Sequence, residues 1–549
     1  MKIISFRFFK IMLFLFLMVG CSKDILEEKP TNIMAAESLY TKLSGFESGL
    51  NGLYALVREH RNQSDQLMFT MTGVDNMCSN YDTDRLWSEW GALNTPTWSN
   101  FADIFAWLYK IINSANTIVE RADNAGIDWT GGGATPTENK NRVVAEARAI
   151  RAWAYRYLTY SWGDVPLSLE ESVGSSINTD WQRTPVAEVR EKIISDLIFS
   201  QEYVPTEGSL QGRLTKGAVQ HYLAEMYLTV NKPDSALYWA DQVISNPAYK
   251  LVTKRYGVKA SKPGVVFMDM FLEGNQNRTE GNTEALWVMQ FQVNVNGGGA
   301  SLIRRFHACR YDLIKIGSVM PLQFSFARGG RNKSYMAPTK FAMNLYDKND
   351  DRGSNFVMRK YFILTSDPVE NSPSGPDKLP PGYSYGDTIK CNWSTDLSPT
   401  YKLKPDWPWC RKADGTDPND VVSDNNYNDQ VYLRLADTYL LKAEAQLKKG
   451  FPGDAATTIN ILRTRSNATP VTGANVNLDF ILDERSRELF LEEERRFTLL
   501  RTHKWFERTQ LYNKYGGQLI SNRDTLFPIP QLVIDANLTT PMQQNPGWQ

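Results

Sequence analysis

The chain has 549 residues, with 61 basic and 61 acidic side chains and 42% apolar content. That is globular composition with enough apolar material for a large core, and a formal charge of zero argues against nucleic acid, whose phosphates demand clustered Lys and Arg. Length alone suggests about three or four domain-sized units, although a repeat fold could use all of it as one body.

The first element is an export signal. Lys2, Arg7 and Lys10 precede the apolar run Ile11–Val19, and Gly20 is the small residue at the cut. At 1.5 Å per residue this run falls well short of the ~30 Å of a bilayer core, so it predicts a cleaved signal over 1–20 rather than a permanent span. Met18-Val19-Gly20-Cys21 resembles a bacterial lipobox, with methionine in place of the usual leucine. The resemblance implies that Cys21 is acylated and that residues 21–34 tether a soluble body to a membrane. Cys78, Cys309, Cys391 and Cys410 remain. Their even number allows two disulfides or buried thiols, and spacing does not choose. Without CxxC pairs, and with four scattered histidines, no zinc signature is present.

The body follows from residue 35. The stretch NYDTDRLWSEWGALNTPTW places Tyr81, Trp87, Trp90 and Trp98 in a polar setting. An exposed indole stacks on the apolar face of a sugar ring while amides, carboxylates and guanidinia bind its hydroxyls. Tyr81, Trp87 and Trp90 are therefore candidate ligand residues, with Asp75, Asn76 and Arg85 as polar partners. Phe101–Asp123 carries Ile104, Leu108, Ile111, Ile112, Ala115 and Val119 at helical spacing, and Asn141–Tyr160 and Val186–Tyr203 predict further helices.

Two distant segments share one pattern, LAEMYLTVNKPDSALYWADQVI from Leu223 and KAEAQLKKGFPGDAATTINILR from Lys442. Aligned without gaps, Ala224 meets Ala443, Glu225 meets Glu444, Pro233 meets Pro452 and Ala236 meets Ala455. Each reads as helix, proline turn, helix, with small residues set to let the pair cross closely, the logic of a tetratricopeptide unit. Helices thus dominate about 35–250 and 425–515. Between them, about 255–425, GNQNRTEGN, NGGGAS, SPSGPDKLPPGYSYGD and KADGTDPND mark a loop-rich insert, with ALWVMQFQV strand-like at Ala285–Val293. The helices read as frame and the insert as binding surface.

ARAIRAWAYRYLTYSWGDVPL at Ala147–Leu167 resembles the SusD/RagB family of Bacteroidetes outer-membrane lipoproteins, as do KIINSANTIVERA, NLYDKNDDR, VYLRLADTYLLKAEA and the closing LFPIPQLVIDANLTTPMQQNPGW. Glu493, Arg496 and Thr498 depart from the glycine, tryptophan and aspartate common in its late helix. The resemblance implies a mainly α fold of tetratricopeptide-like helical pairs beside an irregular, partly β insert. It also implies a lipid-anchored outer-membrane protein, exposed at the cell surface, that captures oligosaccharides for a SusC-like TonB-dependent transporter. The acidic residues after Cys21 (Asp24, Glu27 and Glu28) are similar to a surface-export signal of these bacteria. Peptide capture by the same architecture, a periplasm-facing interaction scaffold and a hydrolase are the alternatives.

No GxSxG, HExxH, GxGxxG or GxxxxGK[ST] occurs. The acidic and basic run ERSRELFLEEERR, Glu484–Arg496, reads as one helix with i,i+4 pairs Asp483–Arg487 and Glu492–Arg496 rather than as acid–base machinery. Arg148 and Arg151 read as scaffold ties. In NDDRG, Arg352 falls where a calcium loop needs glycine, so the segment predicts a turn. No catalytic residue, cofactor or metal is expected.

Overall fold

The computed structural model describes residues 36–79, 90, 94–394, 405–538 and 540–548; Cys21, the signal and tether, and Tyr81, Arg85 and Trp87 lie outside them. The frame begins with α1 (Leu43–Asn62), which buries Phe46, Leu50, Leu53 and Val57 at helical spacing, and the short α2 (Ser64–Met71). Helix α3 (Ser99–Arg121) buries the predicted Ile104, Leu108, Ile111, Ile112 and Ala115 stripe. Helix α4 (Pro136–Trp162) starts on a capping box between Thr135 and Glu138, with Pro136 in its first turn. From Val143 onward nearly all its residues are buried, so it is the central helix rather than a surface one.

Next come α5 (Val186–Tyr203), α6 (Lys216–Thr229) and α7 (Pro233–Ile244), and after the insert α8 (Leu435–Lys448) and α9 (Pro452–Arg465). From α3 to α9 each helix packs on the next, including α7 on α8 across the insert, which makes the two predicted helical pairs one continuous stack. The alanines act as the pattern requires. Ala224, Ala236 and Ala240 meet Leu441 and Ala445, while Ala443 and Ala455 share a core with Leu440 and Ile459.

The strands are short and form antiparallel two-stranded ribbons. β1 (Met77–Ser79) pairs with β3 (Met336–Pro338), and β2 (Ala285–Met289) with β8 (Gln430–Arg434), which leads directly into α8. β4 (Met358–Arg359) pairs with β7 (Trp409–Cys410), and β5 (Tyr361–Ile363) with β6 (Thr388–Lys390).

The late helical run departs from expectation. Instead of one helix through Arg496, α10 (Leu478–Leu489) ends, Leu491 takes φ +68°, and α11 (Arg495–Arg501) and α12 (Trp505–Tyr512) follow. The break is imposed from outside. Lys412 Nζ donates to the carbonyls of Glu488 (2.7 Å) and Phe490 (3.1 Å), and Arg434 donates to Glu488 O (2.6 Å). Remote cations thereby satisfy the orphan carbonyls of a helix end. Neither predicted i,i+4 pair forms: Asp483 accepts from Arg508, Glu492 from Arg434 and Lys412, and Arg496 donates to Asp524 O.

Candidate ligand-binding site

A dense titratable cluster lies where α10 meets the insert. Glu488 accepts from Arg352 (2.9 Å), Arg434 (2.6 Å) and Arg465, and Glu484 from Arg352 (2.9 Å), Arg463 (2.6 Å) and Arg487 (2.8 Å). Burial pushes the Glu488 carboxyl up, but Arg465, Arg434 and Arg352 more than reverse it and hold it well below the carboxylate range. Beside this cluster, burial of Glu225 is likewise outweighed by Arg156 and Arg501, leaving it at about 2. Glu484 and Glu488 are fully buried, and the space beside Glu225, Arg156, Arg434 and Arg501 is about 20 Å³, room for a water and no substrate. Glycoside hydrolysis needs a carboxyl kept protonated beside a cleft; these are ionised and walled in. Arg352, in the predicted turn, joins this cluster, donating to Asp350 as well as to Glu484 and Glu488, and Arg151 bonds Asp196 and Asn116 as a scaffold tie.

The expected ligand residues divide. Asp75 is fully buried, accepting from Arg495 (2.9 and 2.7 Å) and Arg508 (2.8 Å), and Asn76 Nδ2 donates to Ser486 Oγ (2.9 Å). Trp90 is 3% exposed, edge-on to Trp505 at 5.4 Å and under the Arg496 guanidinium. These three are buried in the core of the frame, each bonded or stacked to the frame's own side chains. Tyr81, Arg85 and Trp87 lie outside the described residues.

A polar trough lies instead where α1, the loop after α5, the end of β2 and the approach to β8 converge. It has two lobes of about 320 and 610 Å³ that share Arg58, Gln211, Gln290, Asn296 and Gly297. Its back wall is a relay of amides. Gln290 Nε2 donates to Asn277 Oδ1 (2.8 Å), Asn277 Nδ2 to Asp429 Oδ2 (2.8 Å), and the Phe291 N–H to Asp429 Oδ1 (2.8 Å). Gln276 Nε2 donates to Asn428 Oδ1 (2.6 Å), fixing the neighbouring pair. Burial raises Asp429, and Glu280 and Glu273 add to the rise, while the Phe291 N–H and Asn277 oppose it.

Arg58 donates to Gln290 O (3.1 Å) and Gly297 O and covers the Phe291 ring at 5.9 Å, so it pins the 290–297 loop. Gly212 has φ +83°, and a Cβ there would meet Gln290 Cγ at 2.7 Å, so glycine lets the two loops close on the trough. Trp287 Nε1 donates to Gly212 O (2.9 Å) and holds that approach. Tyr427 is half-buried beside the wall, and Gln292, Asn296 and Glu273 remain exposed at the rim. Fixed amides and carboxylates, with the half-buried Tyr427 beside them, suit a ligand rich in hydroxyls. GNQNRTEGN and NGGGAS marked part of this trough in the sequence; Arg58, Gln211 and Asp429 carried no local signal.

Residues 263–548 match the sequence model described as the SusD family, and residues 24–228 match one described as starch-binding, associating with the outer membrane. The chain is similar to SusD-like protein P2 of Formosa agariphila, 25% identical with 97% of each chain covered. It is 36% identical over 121 residues, 21% of each chain, to the starch-binding protein SusD of Bacteroides thetaiotaomicron. A solved laminarin-binding SusD-like protein superposes with TM-score 0.65 at 20% identity, over 93% of this chain and 100% of that one. The chain belongs to the SusD family, an outer-membrane-associated family of binding proteins rather than enzymes.

Proposed function

We propose that the protein is a cell-surface lipoprotein, anchored through Cys21, that captures oligosaccharides for import through a SusC-like TonB-dependent transporter. The observation that carries the reading is the trough, where Asn277, Gln290 and Asp429 form a pre-set hydrogen-bonding wall next to Phe291 and Tyr427. Pre-set partners cost little ordering on binding, which suits capture of flexible, hydrated chains. The names of the starch-binding and laminarin-binding relatives support a glucan as the first ligand to try.

The test is calorimetric titration of the full chain in detergent with starch and laminarin oligosaccharides, a wider glycan panel and mixed peptides. Saturable binding to one glycan without new reducing ends, weakened at least tenfold by Asn277→Ala or Gln290→Ala, is the expected result. Heat only with peptides overturns the ligand class. Glycan binding that ignores both variants but falls with Tyr81→Ala or Trp87→Ala moves the site to that segment.

A further inference from the structure

A second cleft, of about 720 Å³, opens on the insert and shares no residue with the trough. Six cationic side chains line it (Arg255, Lys259, Lys262, Arg328, Arg359 and Arg411) against two carboxylates, Asp269 and Glu370. Three of the arginines are answered by the protein. Arg255 bonds Asp269 (2.7 Å), Arg328 holds Asp377 through two bonds (2.7 and 2.6 Å), and Arg411 bonds Asp414 (2.7 Å).

The rest have no carboxylate within hydrogen-bond range. Arg359 lies over the Phe362 and Trp409 rings (5.5 and 5.6 Å), but its nearest carboxylate oxygen, on Asp414, is 3.9 Å away and its enclosed Nε has no hydrogen-bond partner. Among the described residues neither Lys259 nor Lys262 is paired with a carboxylate, and both are exposed. Arg255 places them, donating to the backbone carbonyls of Lys259 (2.7 Å) and Lys262 (3.0 Å). Arg359, Lys259 and Lys262 thus stand against Glu370 alone. Burial lowers Arg359 to about 9, and the neighbouring Arg411 and Arg328 cations add to the fall, so the site gains from any anion that enters.

The same cleft exposes apolar surface. Phe356 is 38% and Tyr361 36% exposed, with Val258 and Ile363 beside them. Cations beside open aromatic rings fit a ligand with a flat apolar face and a negative substituent. We propose that this cleft binds the oxyanion group of an acidic saccharide, a sulfate ester or a uronate carboxylate, with Arg359, Lys259 and Lys262 on the anion and Phe356 or Tyr361 under the ring. The saccharide half of the assignment rests on the glycan reading above; the oxyanion half stands on the cleft.

The experiment titrates the full chain in detergent with three probes: an oligogalacturonate, a sulfated galactan oligosaccharide and its unsulfated counterpart. At least one acidic probe should bind tenfold or more tighter than the neutral one, and which of the two binds identifies the group. That affinity should fall as NaCl rises from 50 to 300 mM. It should also drop at least tenfold in Arg359→Gln and in the surface double variant Lys259→Ala/Lys262→Ala, which touches no buried contact. No preference for either acidic probe, or a preference untouched by the lysine variant, overturns the proposal, and loss with Asn277→Ala assigns the anion to the trough. Acidic binding that survives a failure of every neutral glycan at the trough leaves this cleft standing while the trough reading falls.

Discussion

In the helical frame Ala224, Ala236 and Ala240 press against Leu441 and Ala445, and the contacts repeat at helical spacing from α3 to α9. In the insert a separate apolar cluster around Tyr311, Phe362 and Trp409 and two short β-ribbons are joined by polar side chains that reach the backbone or a buried partner. His307 links Met336 to Cys410, Arg328 holds Asp377, and Asn426 donates to Ala413 O. Repetition makes the frame tolerant, since each helix is held by two neighbours. The insert gains its shape from a small apolar cluster and from polar ties that do not repeat along the chain, and its loops line the clefts. The two halves meet at α10, whose carboxylates hold arginines from both.

Breaking that seam should have the largest effect. Glu488→Gln removes the charge that Arg352, Arg434 and Arg465 share, leaving buried cations under-compensated, at a cost of about 3–5 kcal/mol. Thermal unfolding should show frame and insert losing stability together. A drop seen in only one of them would mean that α10 is not a shared element.

The middle case is confined to the insert and is read by pH. Cys410 N–H donates to His307 Nε2 (2.8 Å), so Nδ1 carries the proton and donates to Met336 O (2.9 Å). Burial, opposed by the Met336 carbonyl and Asp414, lowers this imidazole to about 4. The folded value lies below the unfolded ~6.5. His307 therefore contributes its stability above pH ~6.5 and loses it as pH falls towards 4, roughly 3 kcal/mol in all. Protonating Nε2 also forfeits the Cys410 bond. Limited proteolysis from pH 7 to 4 should open the insert before the frame, and His307→Asn should flatten that dependence. Equal opening of both halves would place the sensitivity elsewhere, with the frame's buried His60 the first suspect.

What could be read from the sequence follows the same division. Val186–Tyr203 and the paired alanines were legible because helical periodicity is local, and a strand within Ala285–Val293, of which Ala285–Met289 forms, because a short apolar run between turn residues is local too. The end of α10 was not, because Lys412 and Arg434 terminate it from 54 to 78 residues away. Asp75 looked available to a ligand for the same reason: its partner Arg495 is 420 residues further on. The trough draws on α1, the loop after α5 and both ends of the insert, so only its glycine- and amide-rich segments stood out. Polar residues reveal their role through partners, and partners are set by topology.

The smallest expected effect tests whether the frame really is tolerant. Thr135 accepts the N–H of Glu138, and Glu138 in return accepts the N–H of Thr135 (2.8 Å), at the exposed start of α4. Thr135→Ala deletes one half of this box and should cost about 1 kcal/mol. Because the first turn is exposed while the helix is clamped from Val143 onward, the loss should appear as faster hydrogen exchange over the first turn of α4 alone. Exchange that quickens as far as Trp153 or in the insert would show that α4 transmits a local defect. The repeat packing of the frame would then be cooperative with the insert through more than α10.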